Sequence, residues 1–552
     1  MDRCRKTVIP IATSAPSVAS SSAGKPVASP IRVYSTLSRT KEPLEPVEPG
    51  KVGIYLCGPT VYKPSHIGHL VGPVIFDVVK RYLTYSGYEV TWVVNITDID
   101  DKLIQEAAKR GIEVSELARE MTADYMSNLA ALGIDTIDHF PRATDNIPEI
   151  IALIQALIDK GFAYAAAGDV YFDVAKDVEY GKLSGRDVAS MQGEGGEMAG
   201  RKHNAADFAL WKGAKPGEPS WDSPWGAGRP GWHIECSAMS RRLLGETFDI
   251  HGGGLDLMFP HHENEVAQSE CCHGRPQAKY WMHNGLMQAA DEVGKVGGRN
   301  TRTAEAGPAV DAVEEQASQE AGKMGKSKGA SPFRDLLKAF TPETIRLFIL
   351  SSHYRRPIYF SEARIGEAAT SLEKIYQFFQ RYQRVTGKDF YQLATRDRRA
   401  AAASEPPADE TLRQVAELRQ RFLEVMDDDF NTQGAMAELF ELVRTLNRFV
   451  DEQHLEDPGQ KEAAALATLD EGVAVLRELS SLLNLFRQPM ASPAAAGAND
   501  ELVAGLMSLL IELRADARAG KNFALADKIR QKLGELKIAL ADRPGGTDWT
   551  IE

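Results

Sequence analysis

The sequence predicts an α/β protein: a parallel-sheet domain with an inserted subdomain, then a helical bundle and a small C-terminal unit. Three observations predict it. Short apolar strands alternate with helical stretches on either side of an interruption at 140–220. Beyond residue 365 only helical periodicity remains. A Pro/Ala/Gly linker at 488–498 then separates a last segment, 499–552. Alternating strands and helices favour a parallel sheet covered by helices, because a parallel connection needs a crossover.

In chain order, residues 1–30 are rich in Ser, Ala and Pro and nearly free of acid, with Arg3, Arg5 and Lys6 at the front. This composition fits a disordered extension, and a transit peptide has the same look. From Ile31 the text becomes structured. "VGIYLC" (52–57) reads as a strand. Ser65 is the expected N-cap of a helix beginning near His66, whose stripe is Val71, Val74, Ile75, Val78, Val79 and Tyr82. "EVTWVVNIT" (89–97) is the next strand, which completes a βαβ unit of a Rossmann-like sheet. Within the insertion, "DVYFDV" is a short strand and "MQGEGGEMAG" a loop. "FDIHGGGLDLMFPHHENEVAQSE" (248–270) returns to strand, Gly-rich turn and helix. Residues 289–322 lack a period and read as an extra loop, so the first domain is 31–365. In 366–487, Leu412, Val415, Leu418, Phe422 and Met426 form one stripe, and Met436, Leu439, Leu442, Leu446 and Phe449 another. Two such helices pack in a bundle.

Composition narrows the function. The chain has 552 residues, too many for one core, and is 43% hydrophobic and 26% charged. A net charge of −13 excludes a uniformly basic surface but not a local basic groove. No apolar run reaches the length of a membrane span. Five cysteines, an odd number, fit a reducing compartment and suggest thiols used as ligands rather than disulfides.

Two motifs carry phosphate chemistry. His66-Ile67-Gly68-His69 stands where a strand hands over to a helix. A helix start offers free N–H groups and partial positive charge, Gly68 lets a ligand approach, and His66 and His69 can donate to phosphate oxygens. "KMGKSKG" (323–329) places Lys323, Lys326 and Lys328 on a Gly-flanked loop able to neutralise a triphosphate. Together they resemble the "HIGH" and "KMSKS" signatures of class I aminoacyl-tRNA synthetases, with Gly325 where that family usually has Ser.

A third group suggests metal. Cys57, Cys236, His261 and Glu265 supply two thiolates, an imidazole and a carboxylate, a tetrahedral zinc set. His261 and Glu265 are four apart after Pro260, which suits one face of a helix's first turn. Cys57 and Cys236 are 179 positions apart, so spacing alone leaves the metal open. "YLCGPTVY", "HIGH", "NITDIDDK", "GWHIECSAMS" and "HGGGLDLMFPHHENE" stand in the order seen in cysteinyl-tRNA synthetases. The resemblance continues through "MDDDFNT" (426–432) and "FALADKIR" (523–530).

This resemblance implies one zinc per chain on Cys57, Cys236, His261 and Glu265. It implies that Thr97, Trp232 and His251 surround the amino acid, and that Asp256 lies near the ATP ribose. It implies ATP with Mg²⁺, L-cysteine and tRNA(Cys) as partners, a helical tRNA-binding domain at 366–487, an anticodon-region domain at 499–552, and a cytoplasmic monomer. Two rivals are a ligase joining cysteine to an amino sugar, which would not need the helical third, and a non-catalytic paralogue, which would lose the histidines or lysines.

Overall fold

The computed structural model describes residues 31–186, 199–289, 331–399, 407–457, 459, 461–489, 499–543 and 546–551. The first thirty residues, the expected loop at 289–322 beyond Ala289, the lysine segment at 323–329 and the linker from 490 to 498 lie outside them.

A hairpin of β1 (Arg32–Ser35) and β2 (Thr40–Pro43) opens the chain. Then come β3 (Lys51–Leu56), α1 (Gly68–Tyr85), β4 (Glu89–Val94), α2 (Asp101–Arg110) and α3 (Val114–Ala131). The insertion holds α4 (Ile147–Asp159) and strands β5 (Ala163–Ala166), β6 (Asp169–Phe172), β7 (Phe208–Gly213) and β8 (Gly228–Pro230). Its four strands form an antiparallel sheet in sequential order, around a core that includes Ile150, Leu153, Phe172, Leu210 and Trp211. Next, α5 (Trp232–Leu244), β9 (Phe248–Gly254), α6 (Glu263–His273) and β10 (Ala278–Asn284) return to the first sheet. That sheet has the order β10-β9-β3-β4, and every pair is parallel.

β11 (Met287–Ala289) pairs in parallel with β12 (Ile358–Phe360); between them lie α7 (Phe333–Leu336) and α8 (Pro342–Leu350). α9 (Glu362–Thr386), α10 (Glu410–Asp427), α11 (Thr432–Glu452) and α12 (Ala463–Leu482) are the helical region. The anticipated stripes face inward: Val415, Leu418, Phe422 and Met426, and Met436, Leu439, Leu442, Leu446 and Phe449, are buried, with Leu412 half-buried. One apolar core runs from the sheet through α1 and α8 into this region. α13 (Asn499–Ala519), α14 (Phe523–Glu535) and the hairpin β13 (Ile538–Arg543) and β14 (Gly546–Ile551) share a small separate core of Met507, Leu533 and Leu540. Among the described residues, no helix is long and apolar enough to cross a membrane.

Three local expectations change. Ser65 does not cap α1: the helix starts at Gly68, Ser65 N donates to Asp124 at 2.8 Å, and its carbonyl accepts from Phe333 N. The end of "EVTWVVNIT" leaves the strand after Val94, because Val94 N and Ile96 N turn to the carbonyls of His139 and Pro141. Pro260 is not in the first turn of α6. It follows a cis bond from Phe259, whose own backbone is extended (φ −139°, ψ 135°), so the chain kinks within Met258–His262 and α6 starts at Glu263.

Candidate active site

In the parallel sheet β3 continues to one side, into β4, and β9 to the other, into β10. The order of strand addition therefore reverses between β3 and β9, which run parallel, and the crevice beyond the carboxyl ends of those strands is where open α/β sheets bind ligands. Cys57 follows the last residue of β3, Asp256 follows β9, and His251 lies within β9. α5 brings Trp232 and Cys236, and the turn into α6 brings His261 and Glu265.

Cys57, Cys236, His261 and Glu265 place one ligand atom each within 4.8 Å of the others. The two sulfurs are 3.8 Å apart, Cys57 Sγ is 3.5 Å from Glu265 Oε1, and His261 Nε2 is 3.1 Å from the same oxygen. A second grouping, Cys57, His251, His262 and Glu265, overlaps the first. His251 Nε2 meets Glu265 Oε2 at 2.9 Å, which orients the carboxylate from its far side. His233 Nδ1 meets His261 Nδ1 at 3.0 Å, and Trp232 stacks on the His261 ring at 4.3 Å.

The electrostatics fit a cation. Burial, with Cys236 and Glu265 beside it, pushes the Cys57 thiol well up. Against its own burial, Cys236 is brought down to about 6 by Cys57 and His261. His261 is raised to about 10 by Cys236 and Glu265, although burial opposes it. Glu265 is held well below the usual carboxylate range, since His251 and His261 outweigh burial. Two thiols, a carboxylate and an imidazole thus converge, three of the four buried and Cys57 half-buried. A divalent cation fits such a set, and thiolate with imidazole is a donor choice that suits zinc.

At the start of α1 the two histidines hold each other and the helix. His66 N donates to His69 Nδ1, and Gly68 N donates to His66 Nδ1, both at 3.1 Å. Each Nδ1 accepts, so each Nε2 carries the proton and is the donor. A Cβ on Gly68 would stand 2.8 Å from the His66 ring, so this glycine makes room for the imidazole as well as the helix start. Thr97 is buried; its hydroxyl donates to Glu235 Oε2 at 3.1 Å and accepts from Asn95 Nδ2 at 3.3 Å. Asp256 is half-buried on a single 3-10 turn. Lys323 and Lys326 lie outside the described residues.

Sequence reading passed over several buried polar groups around the site. His262 Nδ1 meets His283 Nε2 at 2.8 Å, and His283 Nδ1 meets Thr36 Oγ1 at 2.8 Å. Burial lowers the pKa of His262 and His283, with His251 adding to the effect on both. Glu235 is wholly buried and its pKa is raised, chiefly by burial. Only the doubled histidine in "PHHENE" could have signalled His262.

Comparison with known proteins gives the family. Residues 43–297 match the family model described as tRNA synthetases class I (C) catalytic domain, and residues 421–487 match the DALR domain. A cysteine–tRNA ligase of Syntrophobacter fumaroxidans is 43% identical over 94% of this chain and 99% of its own length. One of Symbiobacterium thermophilum is 44% identical over 94% and 99%. The chain belongs to the cysteine–tRNA ligase family.

This ligase is therefore an aminoacyl-tRNA synthetase of class I, as the sequence implied. Solved structures agree at the level of fold. Methionyl-tRNA synthetase of Mycobacterium tuberculosis, bound by methionyl-adenylate, has a TM-score of 0.54 at 14% identity, covering 78% of this chain and 90% of that one. LeuRS of Agrobacterium radiobacter, in a ternary complex, has 0.52 at 10% identity, covering 82% and 88%.

Proposed function

We propose that this ligase activates L-cysteine with ATP and transfers it to tRNA(Cys). A cysteine carboxylate oxygen attacks the α-phosphorus, the bond to the bridging oxygen breaks, and pyrophosphate leaves. A hydroxyl of the tRNA 3′-terminal ribose then attacks the carbonyl carbon, and AMP leaves. Neither step needs a covalent enzyme intermediate, so the protein contributes placement and charge. His66 and His69 aim Nε2–H groups at the phosphates. Lys323 and Lys326, with Mg²⁺ accompanying ATP, neutralise the charge that leaves with pyrophosphate. Asp256 takes the ribose, and Thr97, Trp232 and His251 wall the amino acid.

Cys57, Cys236, His261 and Glu265 would hold one zinc per chain, which supplies a preference for a thiolate ligand over a hydroxyl. The observation that carries this reading is that quartet, closed by three segments at the carboxyl end of the sheet. Residues 31–365 form the catalytic unit, with the insertion from 140 to 220, and the helices of 366–487 and the unit at 499–552 contact tRNA. The protein works as a cytoplasmic monomer, and the first thirty residues are dispensable.

Charging assays with tRNA(Cys) test the reading, alongside cysteine-dependent ATP–pyrophosphate exchange. Exchange and charging are both expected. Exchange without charging would favour the amino-sugar ligase, and no exchange would favour a binding protein.

A further inference from the structure

The turn joining α10 to α11, Asp427 to Thr432, takes no part in the chemistry above. Yet it is built with unusual care. Asp429 (φ 70°) and Phe430 (φ 50°) are consecutive non-glycine residues in the left-handed region. That conformation persists only where the surroundings over-determine it.

Here they do. The three carboxylates go to three different parts of the catalytic region. Asp427 accepts from the Tyr82 hydroxyl of α1 at 2.6 Å, and from Arg399 at 2.7 and 2.8 Å. Asp428 pairs with Lys41 of β2 at 2.6 Å. Asp429, wholly buried, accepts from Tyr34 N at 2.9 Å, the Tyr354 hydroxyl at 2.7 Å and Arg355 Nε at 2.8 Å. Its own N–H donates to Arg32 O at 2.9 Å. Phe430 sets its ring edge-on to Tyr82, and Thr432 Oγ1 donates to Leu350 O, at the end of α8, at 2.9 Å. Arg355 in turn lies 4.5 Å from the centre of the Tyr34 ring. A turn that only reversed the chain between two helices needs none of these partners.

We propose that Asp429 is a positioning residue for the transfer step: it fixes the angle between the helical region and the catalytic sheet. tRNA held by the helices then presents its 3′ end to the adenylate. This rests on the reading that the helical region binds tRNA. The lever is long. α10 has 18 residues and is about 27 Å long, so a tilt of about 5° at the turn moves its far end by about 2 Å. A misplacement of about 1 Å between reacting groups can lower a rate by about 10². Activation uses groups held by the catalytic region alone and does not depend on that angle.

The test compares the two steps on the full-length, zinc-loaded protein. Asp429→Ala removes all three side-chain bonds; Asp429→Asn keeps an acceptor but loses the charge facing Arg355. Asp429→Ala is expected to lower single-turnover transfer from preformed adenylate by about 10–100-fold. Cysteine-dependent exchange should stay within about threefold, and Asp429→Asn should fall between. Exchange and transfer falling in parallel would overturn the proposal and leave Asp429 a support of the fold. So would no change in either. If Asp429→Ala does not fold, Asp429→Asn and Arg355→Gln decide by the same comparison. Failure of the underlying reading shows separately, as native protein that exchanges pyrophosphate but charges no tRNA.

Discussion

Cys57 and Cys236 were legible as partners only through the order of the motifs that carry them, since 179 positions separate them. Thiols are rare, a buried thiol beside a carboxylate and an imidazole has few uses, and the two sulfurs do come within 3.8 Å. The histidines behind them were not legible in this way. His283 faces Thr36 and His262 across segments far apart in sequence, and a lone histidine in an apolar strand carries no signal of that. Cys236→Ala should bring bound zinc, measured by elemental analysis of purified protein, from about one per chain to a small fraction, because one of two thiolate donors is lost. Full occupancy in that variant would remove the quartet from consideration. His66→Asn retains an acceptor where Nδ1 takes the Gly68 N–H but has no Nε2 donor. Its exchange rate should fall by about 10²–10³, the scale of one lost charge-stabilising donor, while thermal unfolding stays near that of the native protein.

At the scale of elements, the helices were easier to read than their ends. The α1 stripe is buried as the periodicity required, but its start is set by two imidazoles bonding backbone N–H groups, which no capping rule for Ser65 anticipates. The turn before α6 was equally opaque, because a kink at one extended residue, Phe259, leaves no mark in hydrophobic period. The acidic run in "NITDIDDK" also gains meaning only in three dimensions. Asp98 accepts from Thr144 N at 3.0 Å and Thr144 Oγ1 at 2.6 Å, and Asp101 pairs with Arg229 and, at 2.6 Å, with Lys212. Arg229 also reaches Glu218 at 3.2 Å. These bonds clamp the insertion to the core between Thr97 on one side and Trp232 on the other. Arg229→Ala should therefore raise KM for cysteine by about tenfold, or about 1.4 kcal/mol, with KM for ATP within about twofold. Titrating each substrate in the exchange assay measures both, and equal rises in the two would contradict the clamp.

Over the whole molecule, Asp77 ties the parts together. Buried on α1, it receives Arg346 from α8, Arg81 and Thr136 from the catalytic region, and Asn484 from the end of the helical region. Arg346 also donates to Leu483 O at 2.9 Å. Burial acts to raise the Asp77 pKa, but Arg346 and Arg81 outweigh it and the net shift is downward. A carboxylate whose folded pKa is depressed adds stability that is fully present above its unfolded pKa, about 3.9, and is lost as pH falls through the folded value. Asp77→Asn should thus cost about 3–5 kcal/mol near neutral pH, the scale for breaking a buried ion pair. The gap from native protein should narrow below about pH 4. Urea unfolding of both proteins at several pH values would show it, and a gap independent of pH would contradict the ionic account. The two-part architecture behind this junction was legible from periodicity alone; the junction was not, since its partners are 269 and 407 positions from Asp77. If the quartet at the sheet's switch point selects a thiol, this ligase must tell cysteine from serine by it. The most direct measurement is ATP–pyrophosphate exchange by the zinc-loaded protein with cysteine and with serine, compared as kcat/KM. A preference of about 10⁴ or more is predicted, the accuracy translation requires. A preference of only about 10–200-fold, what a pocket sensing size or apolar contact achieves, would contradict it.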